Sequence, residues 1–317
     1  MKVIEIENLS MEYRSHWTFK KKLALDRLNL TIEEGQIYGY LGANGSGKTT
    51  TIKILMSLLH PISGSAKILG KDIRNAKSRI EVGFLPENPY FYEYLTPVES
   101  LQFYGRLQHV PPQEIRTRSE KLLEMMGLQQ AKDQHLIGFS KGMRQRFGFC
   151  QALINEPKLL ILDEPISGLD PMGRKLFKDL ILEQKRKGIS VFFSSHILSD
   201  VEELCDSVAI LVKGQLKKSG LVHELVSSAY SGFELQLLNA SDAVHQFIQS
   251  LTSNIRFFGE KQIRCVLPPK SDIDLLLKQL QEMGAKIQAL IPEKETLEEY
   301  FVRISSEYDS PAIKEIE

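Results

Sequence analysis

The stretch Gly42-Ala43-Asn44-Gly45-Ser46-Gly47-Lys48-Thr49 decides the fold of this chain. The residues before it, Gln36 to Leu41, form a short apolar run of the kind found in buried strands. The residues after it, Thr50 to Leu59, carry apolar side chains at helical spacing and end at a His-Pro break. A strand, a glycine-rich loop and a helix in this order are the setting of a phosphate-binding loop. The sequence therefore predicts an α/β fold organised around such a loop.

Each residue type in the loop suits a bound polyphosphate. Gly42, Gly45 and Gly47 allow sharp turns that direct backbone N–H groups inward. Lys48 offers a positive charge to the β- and γ-phosphates, and Thr49 offers a hydroxyl to Mg²⁺. The N-terminal end of the following helix adds partial positive charge. We expect the nucleotide to be bound by Gly42, Asn44, Gly45, Ser46, Gly47, Lys48, Thr49 and Thr50.

Two carboxylates follow a second buried run. Leu159 to Leu162 is continuously apolar, and Asp163 and Glu164 come directly after it. The carboxyl ends of parallel strands are where ligands bind in open α/β sheets. There Asp163 can hold Mg²⁺, directly or through water, and Glu164 can polarise an attacking water. The alternative is a strand end with two solvated acids before a proline turn.

His196 ends a third run, Ser190 to Ser195, that is apolar or β-branched in its centre. If this strand lies beside the one that ends at Asp163, the imidazole can donate to a γ-phosphate and take part in catalysis with Glu164. The alternative is that His196 is only a polar strand terminus.

The composition sets outer limits on function. Lysine plus arginine and aspartate plus glutamate number 40 each in 317 residues, so charge gives no reason to expect a nucleic-acid partner. No apolar stretch approaches the roughly 18 residues that span a bilayer. If the protein acts at a membrane, we expect it to do so from the side, with another chain crossing.

The chain also shows a division into domains. A capping box at Thr96 to Glu99 begins a segment that is helical in pattern to about residue 130. From about Phe233 the predicted order becomes strand, helix, strand, strand, helix, strand, which is typical of a small ferredoxin-like α+β domain. We expect this accessory domain at residues 223–305, including a terminal helix at 295–304, and a disordered tail at 306–317.

The order of the motifs resembles one family. After the glycine-rich loop come Phe139-Ser140-Lys141-Gly142-Met143-Arg144-Gln145-Arg146, Asp163-Glu164, Ser167-Gly168-Leu169-Asp170 and His196. Over residues 1 to about 220 these segments resemble ABC-transporter ATP-binding subunits, in particular a bacterial exporter-like branch with a C-terminal extension. The resemblance implies a P-loop NTPase (ABC ATPase) fold at 1–222, with an N-terminal antiparallel β-subdomain and a helical signature subdomain at about 96–155.

The family pattern implies roles for further residues. Ser140, Gly142 and Asp170 match positions that contact ATP held by a second subunit, so two chains would face head to tail around two ATP molecules. Tyr13, about 35 residues before Lys48, matches the aromatic residue that stacks on adenine; alternatively it is an ordinary strand tyrosine. The resemblance leaves homodimer and heterodimer open.

Two segments depart from the family pattern or add to it. Glu87 stands where the family has glutamine, and could bind Mg²⁺ or report to a membrane partner. The family's signature is also altered at Lys141 and Met143. By resemblance, the region after Glu87 receives a helix of the membrane subunit, which makes interface residues of Glu87, Tyr90, Phe91, Tyr92 and Tyr94. Alternatively these rings pack inside the helical subdomain.

The resemblance implies an ATPase that binds ATP and Mg²⁺ and drives an integral membrane permease subunit, with export as the favoured direction. Its place would be peripheral, on the cytoplasmic face of the inner membrane. Two alternatives stay open: a non-transport ABC ATPase with a regulatory or mechanical role, and a nucleotide-gated binding module with little turnover. Intact Glu164 and His196 argue against the second.

Overall fold

The structure is a computed structural model that describes residues 1–14, 21–227, 230–238, 240–252, 254–258, 262–268, 271–294 and 296–309. The chain divides after Val222 into two compact units. Each unit has its own buried core.

The first unit contains ten strands and six complete α-helices among its described residues. The strands are β1 (Lys2–Arg14), β2 (Lys21–Glu33), β3 (Ile37–Leu41), β4 (Ser63–Ile68), β5 (Lys71–Asp72), β6 (Val82–Leu85), β7 (Leu159–Asp163), β8 (Ser190–Ser195), β9 (Ser207–Val212) and β10 (Gln215–Leu221). The helices are α1 (Lys48–Leu55), α2 (Pro97–Leu107), α3 (Pro112–Met125), α4 (Lys141–Leu153), α5 (Pro171–Arg186) and α6 (Leu198–Leu204).

Two sheets organise this unit. The antiparallel sheet has the strand order β2-β1-β4-β5, and forms the predicted N-terminal β-subdomain. The second sheet has the order β10-β9-β3-β8-β7-β6, with parallel pairing from β9 to β6. Strands β3, β7 and β8 are buried along their whole length, as expected for strands covered on both faces. The carboxyl ends of β3, β8 and β7 therefore lie side by side.

The helical segment begins as predicted, but it is not continuous. Thr96 caps α2 in a capping box with Glu99. The chain then leaves the helix after Leu107, and α3 begins only at Pro112. His109 has a left-handed φ of 59°, and two successive prolines lack the N–H groups that would continue α2. The segment therefore stays helical to Met125, close to the expected end, but the interruption between α2 and α3 was not predicted.

The first helix also ends earlier than the His-Pro break suggests. Helix α1 stops at Leu55, and Ser57 takes a left-handed φ of 55°. The Ser57 hydroxyl donates to the carbonyl of Ile73 at 2.6 Å, which fixes this bend. The apolar pattern continues past the helix because Leu59 still packs against the core.

The second unit has the predicted βαββαβ order. After α7 (Val222–Ser227) it contains β11 (Tyr230–Leu238), α8 (Asp242–Leu251), β12 (Ile255–Phe258), β13 (Gln262–Leu267), α9 (Ile273–Glu282), β14 (Lys286–Lys294) and α10 (Leu297–Asp309). The strand order is β12-β13-β11-β14, and every neighbouring pair is antiparallel. Alternate residues of β11 and β13 and the apolar stripes of α8 and α9 form its core. Helix α10 runs past residue 306, and residues 310–317 of the predicted tail lie outside the described part.

Among the helices that the structure describes, none combines the length and apolar character that crossing a bilayer demands.

The capping box of α2 yields a stability prediction. The Thr96 hydroxyl accepts the Glu99 N–H at 3.3 Å, and the Glu99 carboxylate accepts the Thr96 N–H at 2.9 Å. We expect Thr96→Ala to lower the free energy of unfolding by about 1 kcal/mol, because both ends of this box are weakened. Urea unfolding measures it. Thr117→Ala, the same change at an exposed position inside α3, is the control and should stay within about 0.5 kcal/mol; equal losses would contradict the capping account.

Candidate nucleotide site

The glycine-rich loop lies between β3 and α1 with the backbone that its sequence requires. Gly45 and Gly47 have φ values of 79° and 113°, which side-chain-bearing residues rarely adopt. A Cβ atom on Gly47 would also lie 2.6 Å from the carbonyl oxygen of Ala24. The loop can therefore hold this path only with glycine at these positions.

Lys48 is buried at the start of α1, with 5% of its surface exposed. Its ammonium donates to the carbonyl of Gly42 at 2.7 Å and lies 3.2 Å from Oε1 of Glu164. These oxygens satisfy a charge that would otherwise be costly to bury. The structure thus joins the first and second predicted motifs directly.

Asp163 is buried at the end of β7 and is held by two hydroxyls. Oδ1 accepts from Ser194 Oγ at 2.6 Å and from Thr49 Oγ1 at 3.3 Å. Burial raises the pKa of the Asp163 carboxyl, and the two hydrogen bonds oppose that rise. Hydroxyl and carboxylate oxygens are a donor set that suits Mg²⁺, which takes its remaining ligands from phosphates and water. Thr49 and Asp163 are thus the two groups here that could hold the ion.

Ser194 is a functional candidate that was not predicted from the sequence. It lies opposite Asp163 in the parallel pairing of β7 and β8. Its hydroxyl donates to Asp163 and also accepts the backbone N–H of Glu164 at 2.9 Å. Its position could have been noticed in the sequence, because Ser194 carries a hydroxyl near the carboxyl end of a predicted strand and lies two residues before His196.

Glu164 and His196 form a hydrogen-bonded pair. Nδ1 of His196 lies 2.8 Å from Oε2 of Glu164, and because a carboxylate only accepts, the imidazole donates. Glu164 has a left-handed φ of 49°, a strained conformation of the kind found at functional sites. Its two oxygens therefore contact Lys48 on one side and His196 on the other.

Lys48, Glu164 and His196 line one cavity of about 560 Å³. Tyr13 lies at its edge, 40% exposed, with its hydroxyl 3.3 Å from Oγ1 of Thr50. Glu87 lines the same cavity, so the structure brings it to the phosphate loop. Lys22 and Ser167 also line it and were not predicted. The remaining lining residues are Ala24, Asn44, Gly45, Gly47, Lys48, Thr49, Thr50, Glu164 and His196.

Ser140, Gly142 and Asp170 lie elsewhere, in a cavity of about 620 Å³ that shares no lining residue with the first. Ser140 caps α4 by accepting the N–H of Met143 at 3.3 Å, and Asp170 caps α5 by accepting the N–H of Gly173 at 2.9 Å. The structure therefore brings these three residues together, but not to the phosphate loop of their own chain.

Comparison with known proteins gives the family. The sequence profile described as ABC transporter matches residues 25–167. An uncharacterized ABC transporter ATP-binding protein of Synechocystis is 37% identical over 306 residues, which are 95% of this chain and 84% of that protein. The chain belongs to the ABC transporter ATP-binding proteins.

Two further similarities fit this ABC ATPase. The bacitracin transport ATP-binding protein of Bacillus licheniformis is 35% identical over 284 residues, 89% of this chain and 92% of that protein. A solved ATP-binding subunit of an ABC transporter superposes with a TM-score of 0.64 at 32% identity, over 70% of this chain and 91% of the other. The family implies ATP binding and ATP hydrolysis.

The aromatic residues after Glu87 divide into two groups in this ABC ATPase. Tyr90, Tyr92 and Tyr94 are exposed, at 85%, 45% and 70%. Phe91 is only 4% exposed, and its ring packs against Phe147 at a centroid distance of 4.8 Å. The expectation of an interface role therefore does not suit the Phe91 side chain, because that ring belongs to the interior of the helical subdomain.

The buried Asp163 carboxylate predicts a stability gain on its removal. Since its pKa is raised, the folded state loses stability as the pH rises from the ordinary aspartate value through that raised value. At pH 7, without nucleotide and in EDTA, Asp163→Asn should raise Tm by about 2–4 °C. Asparagine keeps an oxygen for Ser194 and Thr49. Differential scanning calorimetry measures the change.

Asp72 provides a control of opposite sign. Hydrogen bonds from Arg74 lower the pKa of the Asp72 carboxyl to about 2, so its contribution is present above the ordinary aspartate value and lost as the pH falls. Asp72→Asn should lower Tm slightly at pH 7, since this pair is exposed. A lower Tm for Asp163→Asn would contradict the account of a destabilising buried carboxylate.

Proposed function

We propose that this ABC ATPase hydrolyses ATP in a head-to-tail dimer and drives a separate membrane-spanning subunit, with export as the direction. The observation that carries the proposal is the division of its motifs between two cavities. One cavity holds the phosphate loop, Glu164 and His196, and the other holds Ser140, Gly142 and Asp170.

In the first cavity, the loop N–H groups and Lys48 bind the phosphates of ATP. Thr49 and the adjacent Asp163 would hold Mg²⁺, and Glu87, which lines the same cavity as Thr49, would add a further oxygen ligand. Lys48 contacts Glu164 at 3.2 Å. A phosphate competes for this ammonium, which leaves Glu164 free to orient and polarise the attacking water. His196 holds the other carboxylate oxygen through Nδ1. Both ring nitrogens are donors in the doubly protonated imidazole, and in that form Nε2 would donate to the γ-phosphate while Nδ1 stays on Glu164. Tyr13 stacks on adenine at the edge.

The second cavity completes the site of another chain. Ser140 and Gly142 lie at the N-terminal end of the 13-residue helix α4, where backbone N–H groups favour an anion. Asp170 is the loop residue next to them. Because this chain carries both cavities, two copies can form two complete sites, and a homodimer is sufficient. A heterodimer with a second ATPase would use the same surfaces.

The exposed tyrosines supply the surface for the membrane subunit. Aromatic side chains at high density are typical of interface hot spots, and three rings near Glu87 face solvent. Glu87 connects this segment with the nucleotide cavity. The bacitracin transport relative supports transport as the function. We place the protein on the cytoplasmic face of the cell membrane, held there by its permease partner.

Lys48→Ala tests the assignment of the phosphate loop. Loss of the buried ammonium removes the charge that binds the β- and γ-phosphates, so ATP hydrolysis should fall by at least about 100-fold. A phosphate-release assay with ATP and Mg²⁺ measures it. Lys53→Ala, an exposed lysine on the same helix, is the control and should keep wild-type turnover. Unaltered turnover in Lys48→Ala would refute the assignment.

Glu164→Gln tests the dimer and the partner. This change keeps the side-chain shape but removes the carboxylate that polarises water, so ATP should stay bound and the dimer should stay closed. Light scattering with saturating ATP and Mg²⁺ should show a dimer, and a monomer would count against the proposal.

The same variant, trapped with ATP in native membranes and extracted in mild detergent, should copurify a polytopic membrane protein. Lys48→Ala provides the matched control without the trapped state. A ribosomal, septal or DNA-repair complex in place of the membrane protein would favour the non-transport alternative.

A further inference from the structure

Four charged side chains join α5 to α6 outside both cavities. Arg174 and Lys178 lie on successive turns of α5, and Asp200 and Glu203 lie on α6. We call these four the α5–α6 ion cluster. Asp200 is its buried member, with 2% of its surface exposed. None of the four lines either cavity of the candidate site.

Each oxygen of Asp200 has its own cation. Nη2 of Arg174 donates to Oδ2 at 2.9 Å, and Nζ of Lys178 lies 2.9 Å from Oδ1. Lys178 also pairs with Glu203. Two cations one helical turn apart on α5 thus hold the Asp200 carboxylate from both sides, and the Lys178–Glu203 pair adds a second point of attachment on α6. Charge-assisted hydrogen bonds of this kind are strong and directional.

Under the proposed function, the two helices follow residues that belong to different ATP sites. Helix α5 begins directly after Asp170, its N-cap, and Arg174 follows one turn later. Helix α6 begins two residues after His196, and Asp200 lies one turn beyond that histidine. The cluster therefore joins the two helices one turn past Asp170 and one turn past His196.

The position of His196 depends on where α6 begins. The imidazole is 39% exposed and reaches Glu164 through one 2.8 Å hydrogen bond. The turn that carries it is closed by Ser195, whose hydroxyl accepts the N–H of Ile197 at 2.9 Å. Val201, on the first turns of α6, is fully buried and packs beside Gly39 of β3. Apolar packing thus holds α6 to the sheet, and Asp200 fixes it against α5.

We propose that Asp200 is a positioning residue for ATP hydrolysis. Its ion pairs hold α6 against α5. They thereby fix the distance between His196, which acts in the ATP site of its own chain, and Asp170, which acts in the ATP site of the partner chain. The inference rests on the proposed ATPase function. Replacing a whole buried ion pair by apolar groups is often neutral for stability, whereas removing one partner is costly, so the test has to separate geometry from stability. A displacement of about 1 Å in an active site can cost about 100-fold in rate.

The test compares carboxylate-to-amide changes at two residues that pair with side chains of α5. Asp200→Asn removes the negative charge on α6 that pairs with the N-terminal half of α5. Asp206→Asn removes the carboxylate that pairs with Lys185, near the C-terminal end of α5, at 2.6 Å. The Asp206 carboxylate also accepts the Ile37 N–H at 2.8 Å, and an amide oxygen can still accept it. In a phosphate-release assay, Asp200→Asn should lower kcat by about tenfold or more and leave the KM for ATP within about twofold. Asp206→Asn should leave both within about twofold. The split between kcat and KM separates positioning from a general loss of structure.

A second pair of variants covers the case in which Asp200→Asn does not fold. Lys178→Met keeps the Arg174–Asp200 pair but removes the ion pairs of Lys178 with Asp200 and Glu203, and should lower kcat several-fold. Lys178→Arg restores the charge and should restore kcat.

The inference is overturned if Asp200→Asn keeps kcat within twofold of wild type, or if Asp206→Asn lowers kcat equally. When Asp200→Asn is insoluble, equal kcat values for Lys178→Met and Lys178→Arg overturn it. A wild-type protein that releases no phosphate overturns the proposed function. An active wild type with an equally active Asp200→Asn variant overturns only the inference about Asp200, so the two failures are distinguishable.

Discussion

The candidate site depends on the parallel pairing of β8 with β3 on one side and with β7 on the other. This pairing brings three loops to one sheet edge, and its register sets Ser194 opposite Asp163. Successive side chains of a strand point to opposite faces, so a slip of one residue would turn the Ser194 hydroxyl away from both Asp163 and the Glu164 N–H. All three strands are buried, and a close-packed core tolerates little change in the volume of its side chains, so a slip that exchanged the two faces of a strand would be costly.

The sequence predicted most of the fold because the local signals were strong and agreed with one another. The glycine-rich loop needed left-handed glycines, and Thr96 with Glu99 specified a helix start that the structure has. The βαββαβ order of the second unit followed from alternating periodicities. The ends of α1 at Leu55 and of α2 at Leu107 were not predicted. Both helices end just before a residue with a left-handed φ, Ser57 and His109 respectively. Such turns depend on tertiary contacts that a periodicity does not contain.

The candidate site was predicted as a set of residue types, but not as a set of contacts. The sequence supplied Lys48, Glu164 and His196, whereas the chain of contacts through the two oxygens of Glu164 required the structure. Ser194 was missed because serine in a strand has many ordinary explanations. Phe91 could not be told from its tyrosine neighbours, since alternation in a loop does not reveal which ring faces the interior.

Phe91 also anchors the segment that carries the exposed Tyr90, Tyr92 and Tyr94. Its ring packs on Phe147 in α4, and the ring of Tyr92 packs edge-on against Phe103 of α2 at 5.5 Å. The neighbouring rings of Phe91 and Tyr92 are therefore tied to two different helices, and α4 is the helix that Ser140 caps. Under the proposed function, a change in the outer tyrosines would alter only the surface offered to the membrane subunit. A smaller side chain at position 91 would leave a cavity beside Phe147 and so loosen the segment that carries those tyrosines.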